Sequence, residues 1–116
     1  MDVTIYGIKT CDTMRKACAW LDAADVVHVF HDYRANGVDR AMLEGFAAIA
    51  GWETLLNRAG TTFRKLPEDV RQDLTESRAI DLMLAHPAAI KRPVLAIGQS
   101  LLVGFDPARY AAAFGR

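Results

Sequence analysis

The sequence has only two cysteines, Cys11 and Cys18, four prolines and no charge imbalance, and each scarcity excludes something. Two thiols are too few for a disulfide framework or a cysteine-rich zinc site. On one helix they would stand about 10 Å apart along its axis, beyond the roughly 7 Å between Cα atoms that a disulfide tolerates. Fourteen basic and fourteen acidic side chains cancel, which argues against a dedicated nucleic-acid binder. No apolar run approaches the roughly 20 residues of a bilayer span. Met1-Asp2-Val3-Thr4-Ile5-Tyr6 lacks the basic flank and long apolar stretch of a secretory signal. A cytoplasmic protein without membrane or direct nucleic-acid contacts is expected. No long exposed apolar stripe demands a dimer, so a monomer is expected as well. His28, His31 and His86 share no metal-ligand spacing with a third ligand, and no metal site is expected.

What is present is apolar material in regular patterns. The 116 residues are 52% apolar, enough for one core of ordinary domain size. Val3-Thr4-Ile5-Tyr6 reads as a short strand stopped by Gly7. Met14, Ala17, Cys18, Leu21 and Ala24 then recur at helical spacing, with Arg15, Lys16 and Asp22 off that face. Val26–Phe30 is rich in β-branched residues and predicts a second strand. Strand, helix, strand in about 30 residues is a βαβ unit with parallel pairing.

The middle of the chain is helical in pattern. Asn36-Gly37 marks a turn and Asp39 is a candidate N-cap. Met42, Leu43, Phe46, Ile49 and Ala50 form an apolar stripe closed by Gly51. Thr61–Lys65 reads as a polar connection. Pro67-Glu68-Asp69 opens a short helix, with proline and acids in its first turn. Thr75 caps another, carrying Ala79, Ile80, Met83 and Leu84 and ended by Pro87. Residues 38–86 are thus expected to be a helical insertion within one domain spanning 1–116. Val94–Ile97, Gly98-Gln99-Ser100 and Leu101–Val103 form a hairpin signature whose apolar strands are expected to be covered on both faces. Asp106-Pro107 starts a last helix through Tyr110 and Phe114. The expected fold class is α/β: βαβ, helical insertion, ββα, around a mixed four-stranded sheet.

Cys11 is the residue richest in chemical meaning. It lies in Gly7-Ile8-Lys9-Thr10-Cys11-Asp12-Thr13, between the first strand and the first helix. There a sulfur faces unpaired backbone N–H groups and the positive end of the helix dipole, and thiolate, the nucleophilic form, is favoured. Lys9 is expected to lower its pKa and Asp12 to oppose. Cys18 lies on the apolar stripe and is expected to serve the core. Met14 stands where a Cys-x-x-Cys motif would place its second thiol, so an internal dithiol cycle is closed to this chain. Arg64 and Arg92 are further candidates, because a guanidinium fork matches a carboxylate or oxyanion. Arg92 precedes Pro93, where a cis peptide would present backbone to a substrate.

Segments across nearly the whole chain carry a family resemblance: Tyr6–Thr13, Phe30-His31-Asp32-Tyr33-Arg34, Leu56–Lys65, Ile90-Lys91-Arg92-Pro93 and Leu102-Val103-Gly104-Phe105. Together they resemble the ArsC (arsenate reductase) family, and within it the small Spx/YffB-like branch, YffB-like members most of all. The resemblance implies a thioredoxin-like fold with a helical insertion. It also implies that Cys11 is the nucleophile, that Arg64 and Arg92 surround an oxyanion, and that Pro93 is the cis-proline. Lys9, Thr10, Asp12 and Thr13 complete the expected substrate or glutathione site. A third family arginine near the last hairpin has no counterpart, since Arg109 comes later, on a helix. The reading that follows is a glutathione-dependent monothiol reductase, with glutathione as co-substrate and no bound cofactor. The alternatives are an arsenate reductase working with glutathione and glutaredoxin, and an Spx-like regulator that contacts RNA polymerase.

Overall fold

The computed structural model describes residues 2–116. In chain order its elements are β1 (Val3–Gly7), α1 (Asp12–Ala23), β2 (Val29–Asp32), α2 (Tyr33–Asn36), α3 (Arg40–Ala50), α4 (Trp52–Leu55), α5 (Thr61–Arg64), α6 (Glu68–Arg71), α7 (Glu76–Ala85), a 3-10 turn (Pro87–Ala89), β3 (Val94–Ile97), β4 (Ser100–Val103) and α8 (Pro107–Ala113). They fall into two compact units, one made of the chain up to Asn36 together with Arg92–Arg116, the other of Gly37–Lys91.

The first unit holds a mixed four-stranded sheet in the order β2-β1-β3-β4. β1 pairs in parallel with β2 and antiparallel with β3, and β3 pairs antiparallel with β4. The period-2 alternation of β1 sends Val3 and Ile5 into a core with Met14, Ala17 and Leu21 of α1, Leu95 and Ile97 of β3, and Tyr110 of α8. The helical stripe of α1 is therefore what the sheet buries. Asp106 caps α8 by accepting from the Ala108 N–H at 3.0 Å, with Pro107 in the first turn. Tyr110 then meets Phe105 and Trp20 edge-on, at ring-centroid separations of 4.9 and 5.5 Å.

Two expectations about strands need correction. β2 begins at Val29 instead of Val26. The Val26 N–H is spent on Leu21 O, closing the end of α1, and Val27 is left 91% exposed. Local β propensity yields here to the turn that leaves the helix. In the hairpin, β3 is buried but β4 is an edge strand, with Ser100 exposed and Leu101 and Leu102 half-buried. Only β3 fits the expectation of cover on both faces.

In the second unit Asp39 accepts from the Met42 N–H at 2.8 Å and Thr75 from the Arg78 N–H at 3.3 Å, as their positions predicted. Gly51 ends α3 with φ +87°, a left-handed value that glycine adopts without strain. α3 packs on α7, burying Leu43, Phe46, Ala79, Ile80 and Met83, and Arg40 pairs with Asp81 between the two helices. Residues 61–64 form the helical turn α5 where a polar connection was expected. Phe63, buried within it, supplies the reason. Among the described residues no helix is long and apolar enough to cross a membrane.

Candidate functional site

The site is built at the turn from β1 into α1. Ile8 is buried and anchors the turn, whose backbone closes through the Cys11 N–H to Ile8 O at 3.2 Å. Cys11 is the N-cap, extended at φ −83° and ψ 129°, and its carbonyl accepts the first helical bond from Arg15 N–H at 3.1 Å. Its side chain closes no regular capping bond as a neutral thiol, yet it sits half-buried beside the free amides of the first turn.

Burial alone would push the Cys11 thiol up. The opposing influences win: the backbone N–H groups of Met14 and Thr13, then the hydrogen bond and charge of Arg92, hold it below 9.0. Arg92 is thus the cation acting on this sulfur, and the expectation that Lys9 does so is corrected. Lys9 and Thr10 are exposed at the tip of the turn. Asp12 is engaged by Arg15, so its charge is met on the helix surface instead of opposing the thiolate.

Arg92 comes from the far end of the sequence. It stands immediately before β3 and is joined to Pro93 by a cis peptide bond. Pro93 is fully buried, and its carbonyl accepts from the Gly104 N–H at 2.8 Å. The register explains the meeting. Tyr6 of β1 faces Val94 of β3 and Gly7 faces Asp32 of β2. The carboxyl ends of β1 and β2 and the start of β3 therefore share one end of the sheet, which is where α/β folds present ligand sites.

Of the residues marked from sequence, the fold brings together Cys11, Thr13 through its amide, Arg92 and Pro93. Arg64 belongs to the second unit, exposed at the end of α5. Arg109 lies on α8 and donates to Val103 O at 3.3 Å. Cys18 packs against the core as expected, and burial, followed by the charge of Asp22, pushes its thiol up. Met14 is 2% exposed and fills the core, so no sulfhydryl partner accompanies Cys11.

Sequence reasoning did not mark Tyr33 as a site residue. It begins α2 directly after β2, at the same end of the sheet, and is only 3% exposed. Its ring stacks on Tyr6 at 6.4 Å and meets His31 edge-on at 6.1 Å. Its hydroxyl is buried without a hydrogen-bond partner among the described residues. The available signal was its place one residue beyond the carboxyl end of a strand parallel to β1.

The profile described as the ArsC family matches residues 6–113. A solved structure of a YffB protein is 58% identical, covers 96% of this chain and 97% of its own, and superposes with a TM-score of 0.93. An arsenate reductase (ArsC) related protein from Brucella melitensis is 54% identical over 100% of this chain and 97% of its own, with a TM-score of 0.80. A Haemophilus influenzae protein described only as uncharacterized is 39% identical over 97% of this chain and 98% of its own length. The global transcriptional regulator Spx of Streptococcus mutans is 29% identical over 90% of this chain and 77% of its own.

Proposed function

Because the chain belongs to the ArsC family and has its thioredoxin-like fold, we propose that it is a glutathione-dependent monothiol reductase with Cys11 as its nucleophile. The observation that carries this reading is the place of Cys11, half-buried as the N-cap of α1 beside the Thr13 and Met14 amides and the Arg92 guanidinium, groups that favour its thiolate. A thiolate so held attacks a disulfide sulfur. A protein–substrate S–S bond forms, the substrate's own S–S bond breaks, and the electron pair leaves on the departing thiolate. A glutathione thiolate then attacks the mixed disulfide. It regenerates the Cys11 thiolate and carries away the second sulfur as a disulfide, so two electrons pass from thiols to substrate.

An external thiol is needed because Cys18 is core-packed with a raised pKa and Met14 occupies the usual place of a resolving cysteine. Arg92 orients the thiolate and offers a fork to an incoming anion.

The test is turnover of a mixed glutathione disulfide, with mass spectrometry of a reaction quenched in acid. The expected result is a glutathione adduct on Cys11 and loss of turnover in Cys11→Ser. A wild-type protein that neither forms the adduct nor reduces the substrate ends this reading. The Brucella relative's description supports arsenate as a second substrate. The absence of an arginine in the Leu101–Phe105 segment argues for slow turnover there, which an arsenate assay coupled to glutathione and glutaredoxin measures.

A further inference from the structure

We propose that Tyr33 is a specificity-determining residue, its buried hydroxyl forming with Arg92 a two-donor subsite for a carboxylate of the thiol or disulfide substrate. The proposal rests on the thiol chemistry inferred for Cys11 and adds which group of the substrate is recognised beside it. Three observations carry it. Strand register gathers Cys11, Tyr33 and Arg92 at one end of the sheet. Tyr33 is 3% exposed, yet its hydroxyl has no partner among the described residues. Its ring is held by Tyr6 and His31, so the hydroxyl is fixed in place before any ligand arrives.

A buried polar group without a partner is uncommon in native proteins and calls for an explanation. Tyr110 shows the same feature, but its ring sits among Trp20 and Phe105, and the cation acting on it, Arg109, is bound to Val103 O. Tyr33 differs because Arg92, the residue that contacts the reactive sulfur, also acts on it. Burial, then the neighbouring Tyr6, pushes the Tyr33 phenol well up. It stays protonated across the working range and can donate. Donors suit an anion, and a carboxylate has two oxygens to share between a guanidinium and a phenol. The hydroxyl is closed to water, whereas Arg92 is only half-buried.

Tyr33→Phe removes the oxygen and keeps the ring. The probes are S-methylglutathione, which has no free thiol, and its diethyl ester, which lacks the carboxylates. Calorimetric titration is expected to show the acid bound about tenfold more weakly by Tyr33→Phe, as for a lost hydrogen bond to a charged group. The variant's preference for acid over ester falls by the same factor, while the pH midpoint of Cys11 alkylation stays where it was. Equal binding of the acid by both proteins, a parallel loss of acid and ester, or no acid binding by the wild type overturns the proposal. Turnover of glutathione disulfide without any dependence on Tyr33 removes this proposal alone. Tyr33-dependent binding without turnover removes the reductase reading and leaves the subsite.

Discussion

Met14 lies directly over Gly7, so that a Cβ added at Gly7 would collide with the methionine Sδ and stand 2.7 Å from its Cε. This contact ties the last residue of β1 to the first turn of α1, within the core cluster against which Cys11 packs. It also gives position 14 a packing role that a second cysteine would not fill.

Gly7→Ala is expected to destabilise the fold by about 1–3 kcal/mol, the usual cost of overpacking a filled core. Met14 is a flexible side chain but is itself 2% exposed and has little room to retreat. Shortening it should make space. The double variant Gly7→Ala/Met14→Ala is therefore expected to lose less than the sum of the two single changes. Urea midpoints of the four proteins check this, and strict additivity would count against the contact.

The alkylation rate of Cys11 against pH is expected to show a midpoint below 9.0, and Arg92→Gln should move it upward by removing a hydrogen bond and a charge. Lys9→Gln should leave it nearly unchanged, because Lys9 is not among the groups acting on the sulfur. Cys18 should alkylate more slowly and with a midpoint above 9.0. The sign for stability follows from the same shift. Cys11 ionises at a lower pH folded than unfolded, so its contribution is full above the unfolded value of 9.0 and fades as pH falls through the lowered folded value. Peptide-resolved iodoacetamide labelling separates the two thiols.

Asp39→Ala removes the N-cap acceptor of α3, which receives the Met42 N–H at 2.8 Å. A loss of about 1 kcal/mol is expected, and Asp39→Asn should retain most of it. Thermal unfolding of the two variants measures the difference. Equal losses would mean that the negative charge, and not the capping bond, is what α3 requires.

Tyr110→Phe is expected to leave the melting temperature unchanged or raise it. The hydroxyl is fully buried and has no partner among the described residues, so the fold bears its desolvation without return. The ring contacts with Trp20 and Phe105 survive the change. A fall in melting temperature comparable to that of a core truncation would reveal a partner for the oxygen.

Much of this was legible in order along the chain. The caps at Asp39 and Thr75, and the helix start at Asp106-Pro107, were readable because a capping bond spans only two or three residues. Cys11 was legible for the same reason, since a strand-to-helix turn announces itself in the change from period 2 to period 3.6. The start of β2 was not. Val26 and Val27 have strand character, but the turn that closes α1 claims the backbone of Val26 first. The α5 turn was missed because one buried Phe63 is too weak a periodic signal to distinguish a helix from a loop.

The sequence by itself determined most of the elements, the caps at Asp39 and Thr75 and the place of the Cys11 sulfur at the first strand-to-helix turn, because those depend on neighbours a few residues away. Only the tertiary structure decided which cation reaches that sulfur, and it selected Arg92 over the nearby Lys9. It likewise left the Tyr33 hydroxyl at the same end of the sheet, buried and without a partner among the described residues. Both outcomes depend on strand register, which joins residues from opposite ends of the chain and is written in no local pattern.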